Sequence, residues 1–152
     1  MKLTQHFSLA ELTNSTTAQR LGLDNTPASE LVPRLVRTAE MLERIRAELG
    51  APVTVTSGYR SPAVNRAVGG VTSSDHAQGH AADIVVPGFG NPYTVAKLLS
   101  QLMAPLGIGQ LVLEGVKGKQ WVHVSTRTPD KISNRVITIT DAGAQLGIRA
   151  LS

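Results

Sequence analysis

The sequence predicts an α+β domain, with early helices packed on a mostly antiparallel sheet, and three observations carry that expectation. Leu31, Leu35, Leu42, Ile45 and Leu49 recur at helical spacing in the first third of the chain. Short apolar runs suited to strands dominate the later part, near residues 81–86, 109–114, 121–126 and 134–140. Two of them are joined through Gly115–Gln120, a linker of hairpin length.

Taken in order, the first long element covers about residues 29–49 and stops at Gly50, a residue that accepts the left-handed backbone of a helix end. Pro33 makes its first turn separable from the rest. A strand near 52–57 follows. Ser61 and Pro62 then open a short helix as cap and first-turn residue, and Gly69 closes it. Ile84-Val85-Val86 marks a buried strand, and Asn91-Pro92 starts a helix that runs through Val95, Leu98, Leu99 and Leu102.

At 152 residues, 41% hydrophobic and 17% charged, the chain suits one sizeable core, so residues 1–152 are expected to form a single domain. One Trp, two Tyr and two Phe leave that core to aliphatic side chains. A net charge of +4 favours an anionic partner. Nucleic acid is not expected, because the basic residues are scattered and no stacking aromatics accompany them. No apolar run is long enough to span a bilayer, and Met1–His6 lacks the apolar stretch of an export signal. The expectation is therefore a protein made in the cytoplasm, without membrane insertion, and a monomer is the default expectation for a chain of this size.

The chain has no cysteine, so any zinc must rest on nitrogen and oxygen. Catalytic zinc takes three protein ligands and keeps the fourth position for water. The stretch Ser74-Asp75-His76-Ala77-Gln78-Gly79-His80-Ala81-Ala82-Asp83 and the distant Trp121-Val122-His123-Val124-Ser125 supply the donors. Asp83 opens a strand, and alternation places Trp121, His123 and Ser125 on one face of another. His76 and His80 have the spacing of two ligands on a helix, but Gly79 lies between them and a strand follows at once, which argues against that pair. His6 has no metal-binding neighbour in sequence.

The pattern Ser-x-His-x-x-Gly-x-Ala-x-Asp followed by Trp-x-His resembles the zinc D-alanyl-D-alanine peptidases of the M15 class, which cut peptidoglycan stem peptides. His6–Leu12, Arg20–Pro27 and Thr56–Pro62 extend the resemblance, toward the compact phage and prophage branch. It implies a Hedgehog/DD-peptidase-like fold and a Zn2+ ion held by His76, Asp83 and His123. It also implies that Arg60 faces the metal, where a guanidinium polarises the scissile carbonyl or neutralises the oxyanion, and that Ser74 hydrogen-bonds substrate. Asp75 reads as solvated or as a partner orienting an imidazole.

The general base departs from the family pattern. Several branches carry a glutamate or histidine three positions before the last zinc histidine, and this chain has Gln120 there, whose amide takes no proton near neutral pH. Glu114 is the replacement: alternation puts Gln110, Val112 and Glu114 on one face, and pairing with 121–125 would bring Glu114 beside His123. The expected function is a zinc peptidase acting on peptidoglycan peptides, of phage or prophage endolysin type. The alternative is a zinc-containing wall-binding or phage structural module that has lost catalysis at Gln120.

Overall fold

The computed structural model describes residues 1–151. It is α+β, with a mixed six-stranded sheet and several helices. Two short helices come first. Helix α1 (Leu9–Thr13) begins at a capping box, in which Ser8 Oγ accepts from the Glu11 amide and the Glu11 carboxylate accepts from the Ser8 amide. Helix α2 (Thr16–Leu21) is capped by Ser15 and stops where Gly22 turns left-handed at φ 66°.

A single turn of 3-10 helix at Ser29–Leu31 leads into helix α3 (Val32–Leu49), with Pro33 in its first turn, where a missing amide hydrogen costs nothing. Gly50 ends it at φ 63°, as its position predicts. Strand β1 (Thr54–Ser57), helix α4 (Pro62–Ala67) and strand β2 (Ala81–Val85) follow. Asn91 then caps helix α5 (Pro92–Leu99). The helix expected through Leu102 breaks at Ser100, and a separate turn, α6 (Met103–Leu106), succeeds it.

Strand β3 (Gln110–Val116) and strand β4 (Lys119–Ser125) form a hairpin tighter than the expected one, because Val116 pairs with Lys119 across a two-residue turn. Lys117 and Gly118 both take positive φ there, 52° and 77°, the backbone of a two-residue hairpin turn that follows the sheet's own twist. Strand β5 (Val136–Thr140) and strand β6 (Gly143–Leu146) complete the sheet in the order β1-β2-β4-β3-β5-β6. All neighbours are antiparallel except β3 and β5, which run parallel.

The two faces of the sheet differ in chemistry. Ala82, Ile84, Val122, Val124, Leu111 and Leu113 are fully buried and join Leu35, Leu42 and Ile45 of α3 in one core. Alternation sends Asp83, His123, Trp121 and Glu114 to the opposite face. The register then sets them side by side, with Asp83 opposite His123 and Glu114 opposite Trp121. The packed face holds the sheet rigid, and the other face is free to carry chemistry.

Candidate metal centre

His76, Asp83 and His123 each offer a ligand atom, and those atoms lie within 4.8 Å of one another. His76 Nε2 is 3.2 Å from Asp83 Oδ1, and His123 Nδ1 is 3.1 Å from the same oxygen. Two donors at ordinary zinc distances, about 2.0–2.1 Å, and at a tetrahedral angle stand about 3.3 Å apart, so this spacing fits a zinc ion. Asp83 and His123 owe their places to the β2–β4 ladder. His76 sits in the irregular stretch between α4 and β2, and its Nδ1 is 2.8 Å from the Gly58 carbonyl oxygen. A carbonyl only accepts, so Nδ1 carries the proton and Nε2 keeps its lone pair for a metal.

Several contacts dock the His76 stretch. Thr38 Oγ1 donates to the Gly79 carbonyl at 2.8 Å, and the His80 amide donates to the Asp75 carbonyl at 2.9 Å. Gly79 holds φ 79°, a conformation that L side chains rarely adopt. Asp75 differs from expectation. It is buried and its carboxylate is bound elsewhere than to an imidazole: it accepts from Ser125 Oγ at 2.9 Å and pairs with the Arg127 guanidinium. It thereby pins the residue before His76 to the end of the strand that carries His123.

The electrostatics follow from burial. Burial alone would raise the Asp83 carboxyl, but the two imidazoles overcome it and hold the group well below the usual carboxylate range. Burial lowers the affinity of His123 for a proton, yet its bond to Asp83 and the acids around it leave the net shift upward. Glu114 moves the other way from Asp83: burial and the Asp83 charge raise it, against the pull of His123, His76 and Arg60. Arg60 is lowered by burial, opposed by Asp83 and Glu114, and its Nε is buried with no hydrogen-bond partner among the described residues.

A cleft of about 900 Å³ gathers these groups: Arg60, Ser74, His76, Asp83, Glu114 and His123 all line it. Every site residue expected from the sequence therefore borders one space. Gln120 does not. It opposes Gly115 in the ladder, one residue out of phase with Trp121, and is exposed on the other face. His80 lies outside the donor cluster, and His6 is tied to Glu43 of α3 at 2.7 Å. The sequence reading missed Lys119 and Trp121 as cleft residues, although the alternation that placed His123 carries them to the same face. It also missed the hydroxyl-bearing wall from Ser15 to Thr17, which only tertiary packing brings to the site.

A family model described as Peptidase M15 matches residues 5–125, which is most of the chain and includes every site residue named above. No curated protein matches the chain. The chain belongs to the peptidase M15 family, whose members are zinc metallopeptidases, and its His–Asp–His cluster is compatible with that metal.

Proposed function

We propose that this M15 peptidase hydrolyses peptidoglycan stem peptides, as a D-Ala-D-Ala carboxypeptidase or a cell-wall endopeptidase, and works as a lysin of phage or prophage type. The observation that carries the reading is the convergence of three zinc-spaced donors, a half-buried carboxylate of raised pKa and a half-buried guanidinium on one cleft. A net charge of +4 suits a substrate rich in carboxylates.

His76, Asp83 and His123 hold the metal in this proposal. Zinc bound there supplies a Lewis acid that makes water nucleophilic near neutral pH. Glu114 accepts the proton that water gives up as it adds to the scissile carbonyl, and delivers it to the leaving nitrogen as the C–N bond breaks. A carboxylate raised by burial is a stronger base than a solvated one and a competent acid once protonated. Arg60 lines the cleft and donates to the carbonyl oxygen as negative charge develops on it, and its half-buried position limits competition from water. Ser74, whose Oγ accepts from the His76 amide at 3.2 Å, keeps its hydroxyl hydrogen for the substrate backbone.

A wall-binding module without catalysis would require Gln120 to stand where the base belongs. Gln120 faces away from the cleft and Glu114 lines it, so no observation favours that reading. The test is mass spectrometry of Gram-negative peptidoglycan incubated with zinc-loaded protein, beside a His123→Ala control. Released D-Ala or a divided stem peptide, absent from the control, is expected and identifies the bond. Intact peptidoglycan after incubation with folded, zinc-replete protein overturns the substrate assignment.

A further inference from the structure

Arg60 lines the cleft from a stretch that has no regular structure of its own. Strand β1 ends at Ser57 and helix α4 begins at Pro62, so Gly58, Tyr59, Arg60 and Ser61 form a link whose backbone is fixed by neither a ladder nor a helix. Buried backbone groups need partners, and those partners decide where such a link lies. The Tyr59 amide donates to the Leu12 carbonyl of α1 at 2.7 Å, and the Arg60 amide donates to the His76 carbonyl at 3.2 Å. The link runs so close to α1 that a Cβ on Gly58 would stand 2.3 Å from the Leu12 carbonyl oxygen.

The peptide groups on either side of Arg60 are held by one side chain. Asn25 Nδ2 donates to the Tyr59 carbonyl at 3.0 Å, and Asn25 Oδ1 accepts from the Ser61 amide at 2.7 Å. The same Nδ2 also donates to the carbonyl of Thr13, the last residue of α1, at 2.7 Å. Carbonyls only accept and a backbone amide only donates, so an asparagine satisfies all three partners and a carboxylate of the same shape does not. Asn25 is itself held in place. It lies inside a turn in which Asp24 Oδ1 accepts from the Thr26 amide at 3.0 Å, and the Leu23 amide before it donates to the Ala18 carbonyl of α2 at 2.8 Å. No residue from Arg20 to Pro27 lines the cleft, so this stretch reaches the site only through the link it clamps.

We infer that Asn25 is a positioning residue, whose amide fixes the backbone on both sides of Arg60 and so aims the guanidinium at the carbonyl being cleaved. The inference rests on the reading of Arg60 as the donor to that oxygen, and it adds to that reaction a residue that touches no substrate. Asn25 acts through Arg60 alone. A misplacement of about 1 Å costs about a hundredfold in rate when it reaches a group that must meet the transition state. Arg60 matters most as charge develops on the oxygen, so the loss falls on kcat and leaves KM nearly unchanged.

The test combines turnover with hydrogen exchange. In zinc-loaded protein acting on soluble peptidoglycan fragments, Asn25→Ala should lower kcat about ten- to a hundredfold and move KM by about twofold or less. Asn25→Asp, which keeps the shape and loses the two donated bonds, should lose as much. In an Arg60→Ala background, Asn25→Ala should cost about twofold or less in addition, because no guanidinium is left to aim. Amide exchange, read without substrate, should rise about tenfold or more at Arg60 and Ser61 in Asn25→Ala and stay unchanged at Leu111, Val122 and Val124 of the core strands. A full further loss on top of Arg60→Ala, a normal rate in Asn25→Asp, or exchange that is unchanged at the link or faster everywhere alike overturns the inference. Wild-type protein that cuts no fragment overturns the peptidase reading instead, and the exchange pattern then decides alone whether Asn25 holds the Arg60 link.

Discussion

The two halves of the metal site are held in different ways. Asp83 and His123 are strand residues whose neighbours along the chain, Ala82, Ile84, Val122 and Val124, are fully buried, so their spacing is fixed by the same ladder that makes the core. His76 comes from an irregular stretch held by separate contacts to Gly58, Thr38, Ser125 and Arg127. The sheet half resists change because a shift of register would turn every buried side chain outward. The loop half depends on a few polar bonds, each worth about 0.5–1.5 kcal/mol net. Metal affinity should therefore be tunable through the loop without disturbing the fold, whereas the sheet half is all or nothing.

The largest expected effect comes from removing a sheet-held ligand. Asp83→Asn leaves the packed face untouched and takes away the charge shared by both imidazoles. Changes to groups that only support a ligand cost about 10–100-fold in affinity or activity, so loss of the ligand itself should cost about a thousandfold or more in peptidase rate. Circular dichroism is expected to show an intact fold and metal analysis to show no bound zinc. A variant that keeps stoichiometric zinc would remove Asp83 from the coordination sphere.

Glu114→Gln comes next, with an expected drop of about 10²–10⁴-fold in kcat and unchanged zinc content. Its pH behaviour carries a sign. In the metal-free protein burial and Asp83 raise the Glu114 carboxyl, so it takes up its proton at a pH above that of a solvated glutamate. A raised folded pKa also means that the stability this group contributes is complete below the unfolded value, about 4.3, and is lost as pH rises through the folded value. Glutamine mimics the protonated form. In metal-free protein, Glu114→Gln should raise the melting temperature at pH 8 and change it little at pH 4; equal melting curves at both values would contradict the raised pKa.

The same division explains what the sequence made legible. The long helix over 29–49, its stop at Gly50, the two proline-opened helices and the hairpin bearing His123 are all written in local patterns, and all appear. So does the placing of Glu114 on the His123 face, because alternation is a local property. Strand β6 is exposed along its whole length and has no apolar face to announce it, and the parallel seat of β5 beside β3 depends on a crossover that no local pattern encodes. Helix α1 was readable in principle, since Ser8 and Glu11 stand at capping-box spacing. The clamp on Asp75 was not, because its partners lie about fifty residues away and meet it only through the sheet.

Asp75→Asn tests the loop half. The amide weakens the pairing with Arg127 and Ser125 while the Gly58 and Thr38 contacts remain, so zinc affinity should fall by about 10–100-fold with a smaller change in rate at saturating metal. Competition against a chelator measures it. An unchanged affinity would mean that the remaining contacts suffice to place His76.

The smallest effect is expected at Gln120, and it sharpens the contrast most. Counting back three residues from His123 points to this position, but in a regular strand three residues is an odd step and reverses the face. The pairing of Gln120 with Gly115, and of Trp121 with Glu114, places the Gln120 amide on the far side of the sheet from Asp83. An acid introduced there has no path to water in the cleft except through the strand. Gln120→Ala should change kcat/KM by about twofold or less, as for other surface substitutions, and Gln120→Glu should fail to rescue Glu114→Gln. A tenfold rescue would require β4 to shift register, carrying His123 off the Asp83 face, so restored activity with zinc still bound would refute the pairing on which the sheet half of the site depends.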